Sequence, residues 1–318
     1  SSLLYEWPGT SPDLKPVAFL AHMDVVPVEP ATLRDWRYPP FSGKIADGFI
    51  WGRGAMDMKS TLMAEMEAIE SLISQGFSPE RTIYLALGHD EETGGLEGAA
   101  RICAHLEEKG VCLACTLDEG MAVLDPSLAP TGNSLAVIGI GEKGYLNLEL
   151  TARGKGGHSS TPAHKSAIGR LCRAGARIEK YPMPATLGAP VDKFFRQISP
   201  DMPFLKRMVF ANQWLFRPLI LKRLAKSQTA NGMIRTTAAL TMVRGGLRDN
   251  VIPEQAKLLV NLRILPKDRV EDVLDHMEKT IADDLVDIRV LKGVVAKPGP
   301  VSDSGSDEYD KIRRAVVQ

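Results

Sequence analysis

The sequence lacks the features that would assign it to a membrane, secreted or polyanion-binding class of protein. It has no uninterrupted apolar run of roughly 18 residues, so no transmembrane helix is expected. Its 39 lysine and arginine residues balance 39 aspartate and glutamate residues, so nothing favours a nucleic acid or a membrane as partner. It has no signal peptide, which favours a cytoplasmic location, and it begins at Ser1 rather than Met, which indicates a non-native N-terminus.

Cysteine is also scarce. The chain has four cysteines, too few for a disulfide framework at this length. Cys112 and Cys115 form a CxxC motif, but no second pair completes a zinc site. Residues 112–117 are predicted to be a buried strand, in which cysteine behaves as a small apolar residue. A redox role is disfavoured, because a reactive CxxC typically lies at a helix N-terminus.

What is present is a globular chain of 318 residues, long enough for two domains. Its first 120 residues contain three apolar runs, at 17–21, 82–87 and 112–117, separated by helical periodicity. This alternation predicts a parallel sheet with helices outside it. Each run ends in acidic residues or histidine, and in open α/β sheets ligands bind at that edge.

A glycine-rich segment, Gly52-Arg53-Gly54-Ala55-Met56-Asp57, precedes the first predicted helix. Its two glycines indicate unusual backbone dihedral angles or a close contact. Apolar residues follow at three- and four-residue spacing, which predicts a buried helix from Asp57 to Gly76. They are Leu62, Met63, Met66, Ile69, Leu72 and Ile73. Asp57 alone is typical of an N-terminal helix cap, but beside other acids it is a candidate metal ligand.

From about residue 141 the pattern changes. Leu146, Leu148 and Leu150 alternate with polar residues, which predicts an antiparallel strand with one solvated face. A helix at 162–180, strands at 233–243 and 256–264, a helix at 268–284 and a strand at 286–291 follow. This β-α-β-β-α-β order is that of a ferredoxin-like sandwich.

Residues 181–232 interrupt this second pattern, and we interpret them as a mostly helical insertion. Its aromatic residues either form a core or line an acyl-chain pocket. They are Phe194, Phe195, Phe204, Phe210, Trp214 and Phe216. We therefore expect a first domain at 1–140, a second at 141–297 that contains the insertion, and a return to the first at 298–318.

Residues near the three strand ends and the glycine-rich segment combine into one candidate site. They are His22, Asp57, Glu91, Glu92 and Asp118. Several carboxylates at one sheet edge would repel each other unless cations neutralise them. Mixed histidine and carboxylate ligands suit zinc, and cobalt or manganese less tightly. One carboxylate can bridge two metal ions about 3.5–4 Å apart, which suits hydrolysis.

Four motifs that contain these residues resemble those of a zinc metallopeptidase family. They are His22-Met23-Asp24-Val25-Val26-Pro27, Gly52-Arg53-Gly54-Ala55-Met56-Asp57-Met58-Lys59, Gly88-His89-Asp90-Glu91-Glu92 and Asp118-Glu119-Gly120. Members of the family include carboxypeptidase S, aminoacylase, glutamate carboxypeptidase and acetylornithine deacetylase. The insertion, with Asn212-Gln213-Trp214-Leu215-Phe216, is similar to the carboxypeptidase S-like branch, which also contains the N-fatty-acyl amino acid amidases.

The resemblance implies a phosphorylase/hydrolase-like α/β catalytic domain with a mostly parallel sheet, plus an inserted ferredoxin-like α+β lid that forms a homodimer. It implies metal-dependent hydrolysis of a peptide or N-acyl amide bond next to a free carboxylate, which releases an amino acid from a small peptide or N-acyl amino acid. An inactive family member that acts as a binding or scaffold protein is the alternative. Glu91 argues against it, because a pure binder needs no base.

The resemblance also implies a role for each candidate residue. His22 and Asp118 would bind the first zinc, Glu92 would bind the second, and Asp57 would bridge the two. Asp24 would lie behind His22 and fix its tautomer.

Three further roles concern the reaction and the substrate. Glu91 would be the general base that takes a proton from the attacking water and passes it to the leaving amine. His158 would reach from the lid to stabilise the oxyanion, often in the partner subunit's site. Asn250 and Arg263 would bind the carboxylate of the substrate.

One ligand of the family's pattern is missing. Members complete the second zinc site with a histidine near the C-terminus, whereas here no histidine follows His276, which falls on a predicted lid helix. Either the chain is truncated or the second site is incomplete, and the abrupt ends favour truncation. The chain is expected to hold about one zinc tightly, or none. His89, His105 and His164 are expected to be structural.

Overall fold

The computed structural model describes residues 1–291 and 296–317. They form two compact units, one from residues 1–121 with the segment from Asp307, and the other from residues 122–306. Each unit has its own sheets and apolar cores. The assignment of catalytic and lid domains to 1–140, 141–297 and 298–318 remains a prediction.

The first unit is built on a four-stranded sheet. Its elements are β1 (Leu3–Trp7), β2 (Val17–His22), β3 (Lys44–Ala46), β4 (Phe49–Trp51), α1 (Ser60–Ser74), β5 (Ile83–Gly88), α2 (Ala99–Glu108) and β6 (Cys115–Leu117). The strand order is β1-β5-β2-β6, and β2 pairs in parallel with both β5 and β6. The mostly parallel sheet is thus confirmed. The antiparallel edge strand β1 was not predicted, because it exposes Leu3 and Tyr5 and lacks a continuous apolar run.

Helices α1 and α2 cover opposite faces of this sheet. Successive residues of a strand point to opposite faces, so Ala21 of β2 packs with Leu62 of α1, whereas Ala18 packs with Leu106 of α2. The prediction that α1 begins at Asp57 is wrong, because the helix begins at Ser60. The predicted buried face is also wrong for Met63, Met66, Leu72 and Ile73, which are 37–49% exposed. The apolar periodicity of the sequence extends beyond the strip that the sheet covers.

The cysteine-containing strand is shorter than predicted. Only Cys115–Leu117 is extended and paired, so residues 112–114 are not part of the strand and Cys112 is exposed. All four cysteines are free thiols. Burial, followed by the charge of Glu308, raises the pKa of the Cys115 thiol, which disfavours a reactive thiolate.

The second unit contains the ferredoxin-like sandwich. Its elements are β7 (Val123–Leu124), β8 (Leu135–Ala136), β9 (Gly144–Arg153), β10 (Gly157–His158), α3 (Ala167–Lys180), α4 (Ala189–Ile198), α5 (Phe204–Ala211), α6 (Gln213–Leu224), α7 (Gln228–Ile234), β11 (Thr237–Gly245), β12 (Val251–Ile252), β13 (Gln255–Ile264), α8 (Val270–Ile281) and β14 (Val286–Val290). The antiparallel sheet has the order β11-β13-β9-β14. With α3 and α8 as connections, this is the predicted β-α-β-β-α-β fold.

The core of the sandwich lies on one face of β9. Leu146, Leu148 and Leu150 are fully buried and pack with residues of α3 and α8, as their alternation predicts. The insertion is helical and has a separate core, in which the rings of Phe195 and Phe210 stack with centroids 4.4 Å apart.

The aromatic residues of the insertion do not form one cluster. Phe204 and Trp214 are 68% and 80% exposed, so they do not join the core around Phe195. The last helix, α9 (Asp307–Val317), groups with the first unit, and Gln318 lies outside the described residues. No helix in residues 1–291 and 296–317 combines the length and apolar character needed to span a bilayer.

Candidate metal site and active site

His22 is the centre of the candidate site in the first unit. It ends β2 and is buried, with 2% of its surface exposed. Its Nε2 lies 3.1 Å from Asp57 Oδ1, 3.4 Å from Glu119 Oε1 and 3.9 Å from Glu91 Oε2. The fold therefore brings carboxylates from three separate segments to one side of one imidazole.

Asp24 connects His22 to the end of β5. The other ring nitrogen of His22, Nδ1, lies 3.1 Å from the carbonyl oxygen of Asp24 and 3.4 Å from its Oδ1. The Asp24 carboxylate also accepts hydrogen bonds from the backbone N–H groups of Glu91 and Glu92, at 3.1 and 3.0 Å. These contacts favour the tautomer that carries its proton on Nδ1, which would leave Nε2 free to bind a metal ion. The same contacts hold Glu91 and Glu92 beside the imidazole.

Asp57 is held by a turn, Ala55–Lys59, that precedes α1. Gly54 begins this turn with a φ of 81°, and a Cβ at that position would lie 2.2 Å from Val25 Cγ1. Glycine is therefore required on both conformational and steric grounds. Lys59 Nζ donates to the carbonyl oxygen of Met23 at 2.7 Å, which joins the turn to the segment after β2. Asp57 has an extended backbone and is not a helix cap, so it is available as a ligand.

Two groups of donor atoms in this cluster could hold a metal ion. One consists of His22, Glu91 and Glu92, and in each group the donor atoms lie within 4.8 Å of one another. The other consists of His22, Asp57 and Glu119. Asp118 belongs to neither group, and its Oδ1 accepts the Glu119 N–H at 2.8 Å. Its role as a ligand remains a prediction, and so do the roles of the other candidate residues.

Sequence reasoning missed Glu119 in this position. The signal was its place in the Asp118-Glu119-Gly120 motif, directly after the end of a strand. Because β6 ends at Leu117, strand alternation does not decide which of the two adjacent acids faces His22.

The electrostatics of the cluster fit a divalent cation. Burial opposes the charged form of His22, but Glu119, the Asp24 carbonyl, Glu91 and the Asp24 carboxylate outweigh it, so the pKa of His22 is raised. Burial is the largest cause that raises the pKa of Glu91, Asp118 and Glu119, and for Glu91 and Glu119 neighbouring carboxylates contribute as well. One imidazole among crowded carboxylates is a donor set that zinc accepts. The residues present therefore fit the metal.

Glu65 on α1 is a second acid that sequence reasoning missed. Burial, followed by the charge of Asp118, raises the pKa of Glu65 to about 7. Its Oε2 is buried and has no hydrogen-bond partner among residues 1–291 and 296–317. Glu65 lies within an apolar helical repeat, and this pattern gave no sign that its side chain would lie close to Asp118.

Glu65→Gln is expected to change how the stability of the metal-free chain depends on pH. The folded state holds the Glu65 proton more tightly than the unfolded state, so wild type loses stability as pH rises from 4.5, the ordinary pKa of a glutamate, to about 7. The glutamine variant cannot ionise at this position, so it should not lose stability for this reason. After reduction for solvent screening of the partly exposed side chain, its advantage in unfolding free energy should grow by about 1 kcal/mol between pH 5 and pH 8.

Urea denaturation of chelator-treated protein at the two pH values measures this difference. Glu67→Gln, on the exposed side of the same helix, is the control. If both variants show the same pH dependence as wild type, Glu65 does not titrate in this range.

Three predicted site residues lie in the second unit. His158 in β10 pairs with Val251 in β12, and the N–H of Ser159 donates to the carbonyl oxygen of Asn250 at 3.0 Å. The structure therefore brings exposed His158 and Asn250 together, although they are far apart in sequence. His158 Nδ1 also lies 2.8 Å from Ser160 Oγ.

Arg263 lies on the main sheet of the second unit. It is opposite Tyr145 on β9, and its guanidinium carbon is 4.6 Å from the centroid of the Tyr145 ring. The Tyr145 hydroxyl accepts from Asn147 Nδ2 at 3.1 Å, and Asn147 Oδ1 accepts from Asn261 Nδ2 at 2.9 Å. This network fixes the ring on which Arg263 stacks, and a stacked guanidinium keeps its N–H edge free.

Three of the remaining histidines have ordinary surroundings. His89 Nδ1 lies 2.7 Å from Ser2 Oγ, and His276, on α8, lies 2.9 Å from the carbonyl oxygen of Tyr181 through its Nε2. His105 is exposed on α2. None of them joins the donor groups around His22 in the described part of the chain.

A cavity of about 670 Å³ adjoins the acidic cluster in the first unit. Its lining includes His22, Glu91 and Asp118, together with apolar side chains of β2 and α2 such as Leu20 and Ile102. It can therefore accept an apolar group next to the candidate catalytic residues.

Comparison with known proteins adds sequence similarity to this geometry. A family model described as "Peptidase family M20/M25/M40" matches residues 18–315. "Probable carboxypeptidase S-like 2" of Dictyostelium discoideum is 39% identical over 319 residues, which cover 100% of this chain and 61% of that protein. "N-fatty-acyl-amino acid synthase/hydrolase PM20D1" of Bos taurus is 39% identical over 316 residues, 99% of this chain and 62% of that protein. The chain thus spans about three-fifths of the length of these relatives.

Solved structures show the same fold at lower identity. An M20 family metallo-carboxypeptidase, Sso-CP2 from Sulfolobus solfataricus, has a TM-score of 0.66 at 21% identity and covers 96% of this chain and 69% of that one. Human carnosine dipeptidase 1 has a TM-score of 0.65 at 15% identity and covers 99% of this chain and 68% of that one.

Proposed function

Because the chain belongs to the peptidase family M20/M25/M40, we propose that it carries out metal-dependent hydrolysis of a peptide or N-acyl amide bond beside a free carboxylate. The observation that carries this proposal is the convergence of Asp57, Glu91 and Glu119 on the Nε2 of His22. A scaffold protein gains nothing from such crowding, because unneutralised carboxylates repel each other. Nothing in the donor set favours the inactive alternative.

The metal we propose is zinc, with His22 and Asp118 as ligands of a first ion, Glu92 as a ligand of a second and Asp57 as a ligand of both. When bound, zinc would polarise the carbonyl of the scissile bond as a Lewis acid. Asp24 orients the imidazole of His22 through the Nδ1 contact. These are the ligands that the family resemblance implies. Glu119 is the additional acid that the geometry places within reach.

Glu91 is the proposed general base. Its raised pKa brings its titration closer to neutral pH, where a carboxyl group both takes a proton from the attacking water and returns it to the leaving amine. The contact of its backbone N–H with Asp24 fixes its position independently of its own side chain. We propose His158 as the residue that stabilises the oxyanion.

Arg263 and Asn250 are the proposed binding residues for the substrate's carboxylate. Arg263→Ala is expected to raise KM for an N-acyl amino acid roughly 10–100-fold, since a charge-assisted contact contributes about 1.5–3 kcal/mol. The corresponding amide substrate, which has no charge to pair, should be affected little. Steady-state kinetics on the two substrates measures the difference.

The matched control is Arg289→Ala, which removes an exposed arginine from β14, at one edge of the same sheet. Equal losses on the acid and the amide would show that Arg263 is structural. The same assay with acyl chains of increasing length tests the apolar cavity beside His22, since kcat/KM should rise with chain length. Loss of all hydrolysis on chelation and recovery on zinc addition tests the reaction class itself.

Homodimerisation through the second unit is part of the proposal. Strand β11 is an edge strand that exposes Met242 and Val243, at 50% and 72%, and Leu247 beyond it is 99% exposed. Exposed edge strands favour pairing with another chain. Sedimentation velocity at micromolar concentration should show a dimer that Val243→Lys weakens, and a monomer at all concentrations contradicts this.

A further inference from the structure

A second cavity, of about 550 Å³, lies within the second unit. Its lining is largely cationic. Arg153 ends β9, Lys155 follows it in the next turn, His164 and Lys165 precede α3, and Arg170 lies in the first turn of that helix. No aspartate or glutamate is among the lining residues that the structure describes.

The two arginines are held in place by acids outside the lining. Arg170 Nη1 donates to both carboxylate oxygens of Asp283, at 2.7 and 2.8 Å, and the side chains of this pair are only 14% and 20% exposed. Arg153 Nε donates to Asp287 Oδ2 at 3.1 Å. The Nε of Arg170 is buried and has no hydrogen-bond partner in the described residues. Arg170 is therefore held in the wall of the cavity before any ligand binds, whereas Arg153, whose side chain is 65% exposed, is held more loosely.

The two lysines have no ion pair of this kind in the part of the chain that the structure describes, although Lys165 is near enough to Asp283 for its charge to act on that carboxylate. Neither Lys155 nor Lys165 forms an ion pair within 4.0 Å in residues 1–291 and 296–317. Arg153, Lys155, Lys165 and Arg170 thus carry four positive charges around one cavity, against the two carboxylates of Asp283 and Asp287. Such a concave, cationic wall concentrates anions.

The backbone around the cavity is also compact. A Cβ on Gly154 would lie 2.6 Å from the backbone nitrogen of Ala167, so the turn after β9 packs directly against the start of α3. This close approach keeps Lys155 and Lys165 at the same opening of the cavity, because Lys155 follows the turn after β9 and Lys165 precedes α3.

We propose that this cavity is a binding site for a phosphate-bearing anion. Phosphate fits because it carries up to two negative charges on several oxygens and can contact more than one ammonium group at once. The volume accommodates a phosphate together with an attached organic group. The source is either a soluble phosphomonoester or the headgroup of a phospholipid. The site lies in the second unit and does not depend on the proposed hydrolytic activity.

Calorimetric titration of the full chain with inorganic phosphate, at constant ionic strength, tests the site. Lys155→Ala/Lys165→Ala should weaken binding about tenfold, since two exposed charge contacts are lost. Lys155→Arg/Lys165→Arg should restore it. The matched control is Lys193→Ala/Lys222→Ala, which removes two exposed lysines of the helical insertion in the same unit.

The proposal is overturned if wild-type chain shows no phosphate binding up to about 10 mM, or if the control double variant loses binding equally. Co-sedimentation with phosphatidic acid vesicles, against phosphatidylcholine vesicles, distinguishes the two sources. Vesicle binding that inorganic phosphate displaces supports the headgroup, and phosphate binding without vesicle binding supports the soluble compound. Circular dichroism confirms that each variant is folded.

Discussion

Replacing Glu91 by glutamine is expected to lower kcat by roughly 10²–10⁴-fold while the chain keeps its metal. Glutamine has nearly the same shape but cannot accept the proton of the attacking water. The backbone N–H of residue 91 would still donate to Asp24, so the position of the side chain should not change. Steady-state kinetics and metal analysis on the same preparation measure both quantities.

Two controls make this result specific. Glu108→Gln changes an exposed acid on α2 and should leave kcat unaffected. Glu119→Gln removes a second acid near the imidazole, whose Oε1 lies 3.4 Å from His22 Nε2. Near-normal turnover of Glu91→Gln would exclude Glu91 as the base, and a large loss in Glu119→Gln alone would assign that role to Glu119.

The placement of this site could be predicted because it depends on strand ends. Apolar runs that stop at His22 and before Glu91 and Glu92 mark two parallel strands whose carboxyl ends meet at one edge. The contacts of Asp24 with Glu91 and Glu92 follow from the same geometry, since β2 and β5 are neighbours. The apolar runs of the sequence therefore predicted that residues distant in the sequence lie close together in the fold.

The acids beyond regular elements could not be predicted in this way. Asp118 and Glu119 follow the last paired residue of β6, where the period of two no longer decides which side chain faces His22. Glu65 lies in an apolar helical repeat, and only the packing of α1 brings it close to Asp118. Helix periodicity marks the apolar face of a segment but not how much of it neighbouring elements cover.

In the second unit, alternation in β9 predicted the strand and its buried face because one face packs on helices. The proximity of His158 and Asn250 depends on pairing between β10 and β12, two strands of two residues each. Such short strands leave no periodic signal. The stacking of Arg263 on Tyr145 depends on strand register, which a single sequence does not give.

Replacing His22 by alanine is expected to remove tightly bound zinc and reduce hydrolysis to background. His22 is the one residue shared by both donor groups, so its loss leaves each with carboxylates alone. The fall in zinc affinity should exceed the roughly 10–100-fold loss that follows removal of a residue that only hydrogen-bonds to a metal ligand. Metal analysis after dialysis measures it, and His105→Ala, on the exposed surface of α2, is the control. Unchanged zinc content in folded His22→Ala protein would place the metal elsewhere.

Asp118→Asn and Glu119→Gln then decide which acid completes the site with His22. The family resemblance assigns the ligand to Asp118, whereas Glu119 Oε1 lies 3.4 Å from His22 Nε2. Burial raises the pKa of both Asp118 and Glu119, so this shift does not distinguish them, and the expectation rests on the family resemblance. We therefore expect Asp118→Asn to weaken zinc binding strongly and Glu119→Gln to weaken it little. The opposite order would assign the ligand to Glu119 and leave Asp118 as an acid that orients the neighbouring backbone through its contact with the Glu119 N–H.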